Sequence, residues 1–131
     1  MTDFTVKRID EMEAIYGGAF KRARAELGVE SFGMQVIEMP PGSELYPEHD
    51  HVGDGQEEVY VVLRGSAEIE LDGQRHPLDG DTMARVAAGT KRKVWPGSDG
   101  VRLLIVGNCP GKLYDAPEIT KLGALAPAFG G

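Results

Sequence analysis

The stretch Pro41-Gly42-Ser43-Glu44-Leu45-Tyr46-Pro47-Glu48-His49-Asp50-His51, followed after Val52 by Gly53-Asp54-Gly55-Gln56-Glu57-Glu58-Val59-Tyr60-Val61-Val62-Leu63-Arg64-Gly65, places two histidines and two glutamates on either side of a turn. Side chains alternate across extended chain, so His49 and His51 share a face while Asp50 points away. Two imidazoles about 7 Å apart along the backbone can converge on one ion. Neutral imidazole is the commonest protein ligand for transition metals. The pair alone describes any strand with two polar residues on its wet face, and the downstream carboxylates sharpen it. Gly53-Asp54-Gly55 is turn chemistry, which predicts that the chain folds back antiparallel and brings Glu57 or Glu58 beside the histidines. Period-two counting puts Glu58, Tyr60, Val62 and Arg64 on one face and Glu57, Val59, Val61 and Leu63 on the other. Apolar residues on both faces predict a strand covered on both sides.

Gly42, His49, His51, Glu58 and Gly65 match, in order, the first motif of the cupins, and the segment resembles that family. The spacing from Glu58 to Gly65 fits the family pattern and selects Glu58 over Glu57, while the spacer from Val52 to Glu57 is longer than usual. The second motif is present in shape: Gly80-Asp81 opens it, and Val86-Ala87-Ala88-Gly89 stands where the family often has a Pro-x-Gly turn. Its chemistry differs, because Arg92 occupies the position of the usual last metal-binding histidine and Pro96 that of the usual asparagine. The remaining histidine, His76, lies between Asp72-Gly73 and Asp79-Gly80 and reads as part of a surface hairpin.

A guanidinium about 5 Å from a bare divalent ion costs several kcal/mol even at an effective dielectric near 20. Three arrangements therefore stay open. Arg92 turns away while His49, His51 and Glu58 bind an ion with waters; or an anion sits between Arg92 and the ion; or no metal binds, and Arg92 pairs with Glu58 or holds an anionic ligand in its planar donor fork.

The composition suits many short strands. The chain has 131 residues, 41% of them hydrophobic, which supplies one core, and its 18 glycines and 8 prolines are spread along it. An all-β barrel or sandwich follows. Fourteen basic against 21 acidic residues give a formal charge of −7, which argues against nucleic acid as a partner. Lys91-Arg92-Lys93 is too short a basic run to change that reading. The single cysteine, Cys109, allows no intrachain disulfide. The first residues lack the pattern of a secretory signal, and no apolar stretch approaches membrane-spanning length. A cytoplasmic protein with no membrane partner is the expectation.

Ile9, Met12, Ile15, Tyr16, Phe20, Ala23 and Leu27 recur at roughly helical spacing, interrupted by Gly17-Gly18. They predict a helical turn around Asp10 to Ile15 and a helix around Ala19 to Leu27, ended by Gly28 and packed on the barrel. Strands are expected over Phe32 to Met39, Glu57 to Leu63, Ala67 to Leu71, Thr82 to Val86, Lys93 to Trp95 and Val101 to Val106. Asp72-Gly73 reads as a two-residue hairpin and Gly97-Ser98-Asp99-Gly100 as a longer loop. Pro117 to Leu122 predicts one helical turn before a loosely held tail, Gly123 to Gly131. The organisation is thus an N-terminal extension of short helices over 1–30, a barrel over 31–110 and a C-terminal tail over 111–131.

The resemblance implies a cupin-2-like double-stranded β-helix, or jelly-roll barrel, with its pocket at the motif end. It implies a metal site of His49, His51 and Glu58 holding Fe, Mn, Ni, Zn or Cu, or no ion at all. Two functions follow: a mononuclear metalloenzyme of dioxygenase or isomerase type acting on a small molecule, which Arg92 would orient if it is anionic; or a non-catalytic barrel that binds or senses a small molecule, with Arg92 in the pocket. Tyr60 is the other pocket candidate, although packing is a sufficient role for it, as for Tyr46 and Trp95. Gln35 faces the pocket unless Gly33 permits a bulge that reverses its parity. The resemblance also implies a homodimer, with the apolar face from Val59 to Leu63 available for pairing.

Overall fold

A computed structural model describes residues 2–127 of the chain. Strands β1 (Ala14–Ile15), β2 (Phe20–Lys21), β3 (Gly33–Met39), β4 (Glu57–Leu71), β5 (Gln74–Leu78), β6 (Met83–Val86) and β7 (Arg92–Asn108) form one antiparallel sheet. Its path runs β1-β2-β3-β7-β4-β5, with β6 paired to β4. β4 and β7 run antiparallel from Glu57↔Asn108 to Leu71↔Arg92 and form the spine. The all-β expectation holds, and the sheet is that of a jelly-roll barrel.

β4 and β7 each fuse two strands expected to be separate, and glycines permit the fusion. Gly65 has φ +80°, and a Cβ there would lie 2.1 Å from the Gly100 carbonyl oxygen. Only a residue without a side chain lets the two backbones touch. The register shifts beside Gly65, between Val62 and Arg64 and between Gly65 and Ala67, so Gly97 to Gly100 is an irregularity inside β7 rather than a loop that ends it. The Asp72-Gly73 hairpin forms as expected: both residues have positive φ and they join β4 to β5 at Leu71↔Gln74.

The barrel core takes Tyr60, Val62, Ala67 and Ile69 from β4, Leu78 from β5, and Val94, Leu103 and Ile105 from β7. Glu58 is buried on the same face as Tyr60 and Val62, as the period-two count predicts. On the opposite face Val59 and Val61 are only half-buried and Leu63 is 44% exposed, so β4 is incompletely covered there. The β3–β7 pairing is unbroken from Gly33↔Gly107 to Met39↔Val101, so Gly33 introduces no bulge and Gln35 shares the inner face with Ile37 and Met39. Val36, of opposite parity, joins Met12 and Ala23 in a second small core under the N-terminal segment.

That segment departs from the expected helices. A 3-10 turn covers Ile9–Glu11, another Tyr16–Gly18, and α1 is confined to Ala23–Leu27, closed by Gly28 in the left-handed conformation as expected. Gly17 and Gly18, at φ +66° and +97°, break the helical path, and the flanking residues pair as β1 and β2 beside β3 instead. The C-terminal stretch contains the expected turn, at Glu118–Thr120. As far as it is described, that stretch is tied down rather than loose. Arg22, 2% exposed, donates to the carbonyls of Ile119 (2.8 Å) and Ala124 (2.7 Å) and to Glu13 Oε2 (2.7 Å), which also accepts from Gly123 N–H (2.8 Å). Residues 128–131 of the expected loose tail lie outside the described residues. Among the described residues no helix is long and apolar enough to cross a membrane.

Candidate metal centre

The histidines reach Glu58 by a different route from the expected hairpin. His49 pairs with Arg92 at the start of β7 rather than with β4, through His49 N–H to Arg92 O (3.0 Å) and Arg92 N–H to His49 O (2.8 Å). His51 N–H donates to Ala88 O (2.8 Å), and the chain turns back as Gly55 N–H reaches His51 O (2.6 Å). The second-motif turn therefore carries the first-motif histidines, and β4 brings Glu58 to them from the other side. Asp50 turns away, accepting from Val52 N–H.

The imidazole tautomers follow from their partners. His49 Nδ1 lies 3.0 Å from Pro47 O, which can only accept, so Nδ1 carries the proton and Nε2 keeps its lone pair. His51 Nδ1 lies 3.0 and 3.1 Å from the two oxygens of Asp54, which fixes its neutral tautomer in the same sense. The two rings stand edge to face with centroids 5.0 Å apart. His51 Nε2 is buried and 3.2 Å from Glu58 Oε1, yet outside hydrogen-bond geometry and without another partner among the described residues. Ligand atoms of His49, His51 and Glu58 all lie within 4.8 Å of one another.

Glu58 is 6% exposed. Its Oε1 accepts from Tyr60 Oη (2.8 Å) and Arg92 Nη1 (2.9 Å), and Tyr60 Oη lies 2.9 Å from Tyr46 Oη. Burial works to raise the Glu58 pKa, but the His51 contact, the Tyr60 hydroxyl and the Arg92 charge outweigh it and hold the carboxyl below its ordinary value. The contact with Glu58 raises the His51 pKa against the opposing effect of burial, and Asp54 adds to the rise. Burial raises both tyrosines well above the ordinary phenol value, so they remain neutral donors. A cation placed among these atoms would meet two imidazole lone pairs and an ionised carboxylate. The donor set fits a divalent transition metal, and His51 Nε2, which makes no hydrogen bond among the described residues, stands beside the Glu58 carboxylate that would share the ion.

Of the three arrangements left open for Arg92, the pairing with Glu58 forms. Arg92 is fully buried and spends its other donors on carbonyls: Nη2 on Ala87 O (2.7 Å) and Thr90 O (2.9 Å), Nε on Thr90 O (3.2 Å). Neither Arg92 nor Tyr60 lines the cavity in front of the histidines; both stand behind Glu58 and position it. The hydrogen bonds that the Arg92 guanidinium makes among the described residues go to Glu58 and to the carbonyls of Ala87 and Thr90. His76, on β5, pairs with Ile69 of β4 and does not line the cavity. Trp95 lies on β7 with the cations of Arg75 and Lys93 over its ring, at 4.3 and 4.5 Å, and does not line the cavity either.

The cavity has a volume of about 660 Å³. His49, His51 and Glu58 line one part of it, Gln35, Ile37 and Ile105 the sheet floor, and Phe20 with Tyr114 and Ile119 bring in the two terminal segments. Sequence reasoning missed Asp54 as the partner of His51, because Gly-Asp-Gly reads first as turn chemistry; the signal was a carboxylate three residues after a candidate ligand. It also missed the terminal segments as cavity walls, for which no local motif exists.

The cupin domain family matches residues 35–107, more than half the chain, and the chain belongs to that family. The structure is similar to that of a cupin protein from Bacteroides fragilis, at 20% identity with a TM-score of 0.69, covering 97% of this chain and 100% of that one. It is also similar to the cupin domain of an XRE family transcriptional regulator from Enterobacter cloacae (24% identity, TM-score 0.54, 63% of this chain and 86% of that one). A third likeness is to a predicted oxalate decarboxylase from Thermotoga maritima (22% identity, TM-score 0.52, 59% and 65%). At these identities the likeness is one of fold. No curated protein matches the chain.

Proposed function

We propose that this protein is a small metal-binding cupin in which His49 Nε2, His51 Nε2 and Glu58 hold one divalent ion of Fe, Mn, Ni, Zn or Cu at the wall of a small-molecule cavity. The observation that carries the reading is the division of labour in the two imidazoles: each Nδ1 is committed to an acceptor, Pro47 O or Asp54, which leaves each Nε2 lone pair for the ion. Two histidines and one carboxylate with open positions support Lewis-acid or dioxygen chemistry of the dioxygenase or isomerase type. The chain's own contribution is to keep Glu58 ionised through Arg92 and Tyr60 and to surround the ligand with a mainly apolar wall.

The test is elemental mass spectrometry of protein purified without affinity-tag metals, beside a His49→Ala/His51→Ala double variant. About one equivalent of metal, lost in the variant, is expected. No metal in the wild type, even after incubation with each ion, overturns the reading. It would favour a second one, a metal-free barrel that binds or senses a small molecule. One observation supports that alternative: Arg92 already neutralises Glu58 without an ion.

A further inference from the structure

The cavity's charge and its unmatched polar group define what it can take. Among the described residues neither lysine nor arginine lines it, whereas Glu44, Asp54 and Glu58 do, so of the described lining only histidine offers positive charge to an anion in the metal-free protein. Its walls are largely apolar, through Phe20, Ile37, Met39 and Ile105 among others. Gln35 interrupts them. It lines the cavity from the middle of β3, and its side-chain oxygen is buried without a hydrogen-bond partner among the described residues. An amide left so inside an apolar wall is a cost that a bound polar group removes.

Register places this amide relative to the metal-ligand end. Gln35 pairs with Ile105, and Ile105 pairs with Tyr60 on the next strand, two residues from Glu58 on the same face. Two strand spacings separate the Gln35 and Tyr60 positions, about 10 Å. A compact single-ring molecule spans that gap. The terminal amide torsion is broad, so Gln35 can present its oxygen or its nitrogen, and a hydroxyl serves as partner to either.

We infer that the cavity takes a small uncharged molecule with an apolar body and a hydroxyl group, and that Gln35 reads the hydroxyl. The inference rests on the cavity being the ligand site, as proposed above, and does not depend on the ion.

Three probes of matched shape test it on protein stripped of metal and kept in chelator: p-cresol, p-xylene and p-toluate. Dissociation constants come from titrations followed by amide chemical shifts. The wild type is expected to bind p-cresol about fivefold more tightly than p-xylene, the size of one net hydrogen bond, and to reject p-toluate. Gln35→Leu is expected to bring the cresol-to-xylene ratio close to one by weakening p-cresol alone. Gln35→Met, of similar length, repeats the measurement should the leucine variant fold poorly. An unchanged ratio in a folded variant, tighter binding of p-toluate, or no binding of any probe overturns the inference. Failure of the metal reading has a separate signature, since metal is then missing from wild-type protein whose cresol preference is intact.

Discussion

Arg92 is the residue on which the centre turns, because it joins the histidine segment, the start of β4 and the turn that precedes β7. Its backbone pairs with His49, its guanidinium holds Glu58, and its remaining donors close the Ala87–Thr90 turn. Replacing it with methionine leaves a buried carboxylate without its counter-charge and two carbonyls without donors. Removal of one partner from a buried ion pair costs about 3–5 kcal/mol. Arg92→Met is therefore expected to lower the unfolding free energy by about that amount in chelator, and by distinctly less with saturating metal, because an ion against Glu58 supplies the lost positive charge. Urea denaturation with and without metal checks this; an equal loss in both conditions would mean that no ion sits against Glu58. The role of Arg92 was half legible in the sequence. Counting from Gly89 located it at the site, and pairing with Glu58 was among the arrangements considered. Its commitment to three carbonyl bonds depends on the shape of the turn, which local sequence does not encode. Alternation only separated Glu58 from Glu57, and the family spacing to Gly65 selected between them; Gly107 opposite shows how tightly Glu58 is seated, since a Cβ at Gly107 would lie 2.9 Å from Glu58 Cγ.

At the scale of elements, the segments outside the family match do the closing. Arg22, on the link between β2 and α1, fastens the C-terminal stretch through Ile119 O, Ala124 O and the shared carboxylate of Glu13. Arg22→Met removes the donors from two carbonyls, at about 1–3 kcal/mol for each group left unsatisfied. Since about 1.4 kcal/mol is a tenfold change in an opening equilibrium, trypsin is expected to cut after Lys121 at least tenfold faster in the variant, while the barrel's melting transition stays cooperative. Cleavage at the wild-type rate would show that the apolar contacts of Ile119 alone hold the segment. The same fastening predicts a pH dependence. The hydrogen bond from Arg22, followed by that from Gly123 N–H, holds the Glu13 carboxyl below its ordinary value near 4.5. A depressed folded-state pKa gives a contribution that is complete above the ordinary value and lost as pH falls through the depressed one. Protection of the Gly123 amide should therefore be flat above about pH 4.5 and decline below it. Protection that persists under stronger acid, with the barrel intact, would remove Glu13 from this role. None of this was legible in advance. β1 and β2 are two residues long, too short for alternation to show, and the apolar spacing from Ile9 to Leu27 mimics a helix until Gly17-Gly18 break it. The long strands were legible because their turns carry backbone chemistry that few residues tolerate, as at Asp72-Gly73.

At the scale of the whole molecule, the barrel buries one face of β4 and leaves the other unfinished. Val59 and Val61 are half-buried, Leu63 is 44% exposed, and Met83, opposite Val61 on β6, is 70% exposed. Phe4 and Val6, in the stretch before the first 3-10 turn, are 79% and 86% exposed. Exposed aliphatic side chains on adjacent strands are a patch that soluble proteins usually cover. A second copy of the chain is the occupant we propose, because a two-fold pairing covers the same patch on both partners at once and closes without further growth. The net charge of −7 opposes any association, and it does so least where the contact is apolar and at high ionic strength. Multi-angle light scattering is expected to give twice the chain mass, increasingly so with salt, and a Leu63→Lys/Met83→Lys variant is expected to run at the mass of one chain with its metal content unchanged. A dimer that survives the double variant but dissociates on Phe4→Asp/Val6→Asp would move the interface to the N-terminal segment. A wild-type mass equal to one chain at all salt concentrations would remove the dimer altogether and leave the outer face of β4 as ordinary apolar surface.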